Sequence, residues 1–103
     1  MSSSLIVCTE LINKHFQLPS EELEPFQTSE EELLKGLSVV INNLMNQDMT
    51  RLLNAFYKID IDEVEFKKII STEAPDQIAL SLAKEVFARE MQKVKTREKY
   101  RNF

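Results

Sequence analysis

The stretch PDQIALSLAKEVFAREMQKVKTREK, Pro75 to Lys99, decides the fold. It reads as one long helix. A proline at the first helical position loses nothing, because that N–H has no helical partner. Asp76 follows at the positive end of the dipole. No further proline or glycine interrupts the run. Its apolar residues are Ile78, Ala79, Leu80, Leu82, Ala83, Val86, Phe87, Met91 and Val94. At helical spacing they cover an arc of roughly 220°, wider than the stripe of an ordinary surface helix. A helix apolar on so many sides must be packed by several neighbours. Beyond Val94 the sequence turns basic, with Lys95, Arg97, Lys99 and Arg101. A helix over this range is about 37 Å long. A compact domain of this size is about that wide, so the basic end, about 95–103, is expected to project.

Working outward, the 103-residue length suggests one domain with a modest core. Hydrophobic residues make up 43% and charged residues 29%, as in an ordinary globular chain. One glycine and three prolines are too few for the turns of an all-β fold. The single cysteine, Cys8, allows no internal disulfide, and no basic leader precedes an apolar run of signal length. The expected compartment is therefore the cytoplasm, with no membrane span. The net charge of −4 is unevenly spread. From Lys84 onward seven Lys/Arg face three Glu, giving +4, whereas the first 83 residues carry six Lys/Arg against fourteen Asp/Glu, giving −8.

The other helices follow from apolar spacing. Leu5 to Phe16 presents Leu5, Cys8, Leu11, Ile12, His15 and Phe16 on one face; Ile6 and Val7 make a short strand the alternative. Gln17 to Thr28 is a loop punctuated by Pro19 and Pro25, with one helical turn at Ser20–Glu24 and with Leu18, Leu23 and Phe26 pinning it to the body. Ser29-Glu30-Glu31-Glu32 has the form of a capping box. It opens a helix to Asn46 with Leu33, Leu37, Val40 and Leu44 as its stripe. Gly36 lies inside that helix at a cost of up to ~1 kcal/mol relative to alanine. It reads as simply tolerated, with the close approach of a neighbouring backbone as the alternative. Asp48 is the N-cap of a helix from Met49 to Lys58, and Asp62 that of a helix from Glu63 to Ser71. The expected core is Leu11, Ile12, Phe16, Leu33, Leu37, Val40, Leu44, Leu52, Leu53, Phe56, Ile69, Ile78, Leu82, Val86 and Phe87.

No constellation for catalysis or metal binding emerges. Cys8 and His15 share a helix face but stand seven residues apart, roughly 10 Å along the axis; a nucleophile and its base must come within about 3 Å. Cys8 reads as a small core residue and His15 as a boundary residue. Zinc sites draw on several Cys and His, and this chain has one of each. Asp60-x-Asp62 opens like a calcium loop, but the positions that should follow hold Val64, Glu65 and Ser71. A single glycine cannot build a phosphate-cradling loop. No catalytic residue and no cofactor is assigned. The candidate partner-binding residues are Lys93, Lys95, Arg97, Lys99, Tyr100 and Arg101, in the basic end of the last helix. Alternate positions spread around a helix, and the acidic body would repel a phosphate backbone.

The segments Leu52-Leu53-Asn54-Ala55-Phe56-Tyr57-Lys58-Ile59-Asp60 and Arg89-Glu90-Met91-Gln92-Lys93-Val94-Lys95-Thr96-Arg97 resemble parts of small all-helical bacterial proteins of no assigned function. The resemblance spans about a third of the chain, implies a bacterial, all-helical protein, and transfers no site residue.

The expectation is an all-α domain, a four- to five-helix bundle packed around the long C-terminal helix. The expected function is a non-enzymatic protein-interaction or structural module, self-associating through the C-terminal helix or binding another protein. The alternative is a helical domain that binds nucleic acid through the basic tail.

Overall fold

The computed structural model describes residues 3–101, with side chains from Ser4 to Lys99. The described residues form five α-helices and no strand: α1 Ser3–Phe16, α2 Glu30–Gln47, α3 Met49–Ile59, α4 Glu63–Thr72 and α5 Ile78–Arg101. A short 3₁₀ turn, Glu24–Phe26, interrupts the loop between α1 and α2.

Side-chain caps start three of the helices where the sequence asks for them. The Ser29 hydroxyl accepts from the Glu32 N–H (3.1 Å), Asp48 from the Arg51 N–H (3.1 Å), and Asp62 from the Val64 and Glu65 N–H groups (2.8 and 3.4 Å). Each satisfies donors that the first helical turn leaves open. Two helices end through a left-handed residue that is not glycine. Past α1, Gln17 (φ 58°) lets the Leu18 N–H donate to the Asn13 carbonyl (2.8 Å) and its own N–H to that of Lys14 (3.3 Å). Past α3, Asp60 (φ 69°) does the same, with Ile61 N–H donating to Phe56 (3.0 Å) and Asp60 N–H to Tyr57 (3.2 Å). Both are the paired bonds of a Schellman ending.

The last helix begins later than its proline suggests. The Gln77 N–H donates to the Ala74 carbonyl (2.8 Å), so residues 75–77 form a turn with Pro75 at its second position. Helical bonding starts from the Gln77 carbonyl, which accepts the Ser81 N–H (3.0 Å). Proline's fixed φ suits a turn as well as a helix start, and the sequence does not separate the two.

The bundle is packed around α5, which touches α1, α2, α3 and α4. Its broad apolar arc is therefore filled within the chain. Leu82, Ala83, Val86 and Val94 are buried, and Ile78 and Phe87 are partly buried. α1 runs antiparallel to α5: Ser4 donates its hydroxyl to Glu98 (2.9 Å), and His15 meets Glu90. α5 thus still lies beside α1 at Glu98. One contiguous core draws on Cys8, Leu11, Ile12 and Phe16 from α1, Leu33, Leu37, Ile41 and Leu44 from α2, and Leu52, Phe56 and Ile59 from α3. Edge-to-face contacts of Phe56 with Phe16 (6.3 Å) and Phe66 (5.4 Å) link α1, α3 and α4. Leu23 is enclosed and fixes the α1–α2 loop, with Leu18 and Phe26 partly buried against the same core.

Two expectations of the sequence fail here. Leu53, placed in the core by spacing, is 45% exposed. Gly36 is not merely tolerated. A Cβ there would lie 2.5 Å from Cγ of the Phe26 ring, so the glycine makes room for an aromatic side chain of the loop rather than for a neighbouring backbone.

Candidate functional site

α3 carries apolar residues on two faces. Leu52, Ala55, Phe56 and Ile59 face the core. Met49, Leu53 and Tyr57, four residues apart and therefore aligned on a helix, face outward; Tyr57 is 88% exposed. The turn at Asp60 folds α4 back so that Phe66 meets Phe56. Val64, on the first turn of α4, is 73% exposed. Between the two helices runs a groove of about 750 Å³ with Leu53, Phe56, Tyr57, Ile61 and Phe66 as its walls. Its rim carries Asp60, Asp62, Glu63 and Lys67. Asp60 pairs with Arg89 (3.1 Å), Glu63 with Lys67 (3.4 Å), and Asp62 caps α4. Exposed pairs of this kind add little to stability, and with Arg89 counted the rim keeps one unmatched carboxylate, that of Asp62. The groove offers apolar contact rather than charge.

The basic end of α5 is divided by the structure. Residues two apart on a helix point to nearly opposite sides, whereas residues four apart nearly align. Lys93 and Arg97 thus fall on one side, with Arg89 and Thr96, around a shallow depression. Lys95 and Lys99 lie on another. Lys93 is turned inward. Its ammonium donates to the Ile59 carbonyl (2.9 Å), approaches that of Lys58 (3.5 Å), and sits 3.7 Å from Glu90 Oε1. It closes the C-terminal end of α3, where positive charge is favoured. Lys95, Arg97 and Lys99 are exposed. The side chains of Tyr100 and Arg101, and the whole of Phe103, lie outside the described residues.

The sequence reading missed a buried polar cluster between α1, α3 and α5. Glu90 is fully buried, and its Oε2 lies 2.7 Å from Nδ1 of His15. Its other oxygen, Oε1, has no hydrogen-bond partner. The Lys93 ammonium stands beside it, 3.7 Å from Oε1. The sign of this cluster was visible in the register. Glu90 stands four residues after Val86 and four before Val94, on the line that buries both. A carboxylate in that line must find a partner, and His15, in the corresponding line of α1, supplies it. Nearby, Cys8 is fully enclosed. Burial, then the carboxylates of Glu90 and Glu30, push its thiol from 9.0 up to about 12. Such a thiol is a packing residue and not a nucleophile.

Arg51 ties α3 to the end of α1. Its Nε and Nη2 donate to the Phe16 carbonyl (3.1 and 2.9 Å), and Nη2 also to that of Gln17 (2.7 Å). The guanidinium thereby covers the open carbonyls at the end of α1.

No family model matches the chain, and no curated protein or solved structure shows significant similarity to it. The functional reading therefore rests on geometry. Among the described residues no helix is long and apolar enough to cross a membrane, and no group of three or more His, Cys, Asp or Glu is arranged to hold a metal ion.

Proposed function

We propose that the protein is a non-enzymatic interaction module that seats one amphipathic helix of a protein partner in the α3–α4 groove. The observation that carries this reading is the outward stripe Met49, Leu53 and Tyr57 on α3, of which Leu53 and Tyr57 wall the groove. Contiguous exposed apolar surface on a small chain marks an interaction site. Aligned side chains beside a groove match the helix-in-groove mode of recognition. The apolar walls Leu53, Phe56, Tyr57, Ile61 and Phe66 make apolar side chains at i, i+4 and i+7 the feature the groove selects. A second copy of the chain is one source of such a helix, and α5 itself is largely engaged by its own bundle. The basic end favours a second reading, nucleic-acid binding through Lys95, Arg97 and Lys99. Phosphate binding gains from cations gathered on one face, and here they are divided. The compartment consistent with a single reduced cysteine is the cytoplasm.

Site-specific photo-crosslinking tests this. A benzophenone amino acid replaces Tyr57 in one variant and Lys99 in another, and crosslinked peptides are sequenced. The expected result is capture at position 57 of one amphipathic helical segment, abolished by Leu53→Ser. Capture only at position 99, or none at 57 beyond a control at exposed Glu22, overturns the groove as the docking site.

A further inference from the structure

We propose that the cavity between the end of α1 and the face of α3 binds a phosphate group, free or as a monoester. This site is separate from the α3–α4 groove and does not depend on it. The cavity measures about 240 Å³ and is lined by His15, Arg51, Lys58, Thr50, Asn54 and Asp48, with Gln17 at its edge.

Three cationic or potentially cationic groups converge there, and two are held rigidly. The buried Glu90 carboxylate accepts from His15 Nδ1 (2.7 Å), which fixes the ring and keeps a proton on that nitrogen. The other nitrogen, Nε2, makes no hydrogen bond among the described residues. In the doubly protonated ring it is a donor. Arg51 is anchored by the Phe16 and Gln17 carbonyls through Nε and Nη2, and its Nη1 has no partner among the described residues. The Lys58 ammonium makes no ion pair among the described residues, and it stands seven positions after Arg51 on the same face of α3. Thr50 and Asn54 add a hydroxyl and an amide to the lining. One carboxylate opposes them. Asp48 lines the cavity, but its Oδ1 accepts from the Arg51 N–H as the cap of α3. Arg51 and Lys58 set two cations against that one carboxylate.

The number of donors suits a phosphate better than a carboxylate, which offers only two oxygens. The donors come from two helices and line one cavity, and a phosphate offers them three acceptor oxygens. The anchored guanidinium and the His15 ring are preorganised, so binding orders few side chains. The volume leaves room beyond the anion for the group an ester would carry.

The test is a titration of the full chain with inorganic phosphate, ionic strength held constant with chloride, read by NMR. His15 is the only histidine, so its ring signals are unambiguous. A saturable shift of those signals is expected, with affinity reduced about 3- to 10-fold by Lys58→Ala. Lys58 is exposed, so that variant should keep the wild-type melting curve. Phenyl phosphate distinguishes the sources. Binding at least as tight as inorganic phosphate assigns the site to a phosphomonoester, and rejection of it assigns the site to the free ion. A linear drift equal to that of the chloride control, or equal affinity in the wild type and in both Lys58→Ala and Thr50→Val, overturns the proposal.

Discussion

His15 and Glu90 form the contact whose loss should be felt most. Removing the imidazole leaves a fully enclosed carboxylate without its hydrogen bond and with only the Lys93 ammonium, 3.7 Å away, beside it. His15→Ala should lower stability by about 3–5 kcal/mol, measured by urea denaturation. Replacing the pair together, His15→Leu with Glu90→Met, should be neutral or stabilising, because neither charge then has to be desolvated. Gly36 yields an opposite sign from helix propensity. Alanine should be the better helix former by up to ~1 kcal/mol, yet its methyl would overlap the Phe26 ring. Gly36→Ala should destabilise the chain by about 1–3 kcal/mol, and adding Phe26→Ala should remove that overlap; thermal melts of the wild type and these two variants decide. Cys8 makes a third case. Its folded value is raised, from 9.0 to about 12, chiefly by burial. Its contribution is whole below about pH 9 and is lost as pH rises through 12, because the unfolded thiol releases its proton first. The denaturation midpoint should fall across that window, less steeply in Cys8→Ala. At neutral pH iodoacetamide should label Cys8 only at the rate of unfolding, as followed by mass spectrometry.

At the scale of elements, α4 and α5 are opposites. α5 is held by four other helices, whereas α4 buries only Ile69 fully and shows Val64 and Ile70 to solvent. Local opening is cheapest where few apolar contacts resist it. Amides of α4 should therefore exchange with deuterium well before those of α5 between Leu82 and Val94, as read by native-state exchange. The groove would share that mobility on one wall only, since α3 is fixed by Leu52, Phe56 and Ile59. α3 also shows where reading by spacing goes astray. Leu52 and Leu53 are adjacent and equally apolar, and their spacing to Phe56 and Tyr57 is the same. Only the position of α1, α2 and α5 determines that Leu52 is enclosed and Leu53 is not.

For the whole molecule, a single contiguous core spans all five helices. Unfolding should be one cooperative transition, with calorimetric and van't Hoff enthalpies in agreement; two resolved transitions would show that α4 or the α1–α2 loop melts by itself. What the sequence by itself determined is local. Ser29, Asp48 and Asp62 cap helices because a short oxygen side chain can reach the N–H groups just ahead of it, and that chemistry needs no tertiary partner. The width of the apolar arc on α5 likewise announced a central helix, because each of its residues carries the same preference for burial wherever it packs. The tertiary structure alone decided the rest. Pro75 became a turn, Gly36 made room for a ring ten residues earlier, and Glu90 found a histidine on the far side of the chain. These are contacts between elements distant along the sequence. Their formation depends on which faces meet, and apolar spacing fixes a face without naming its partner.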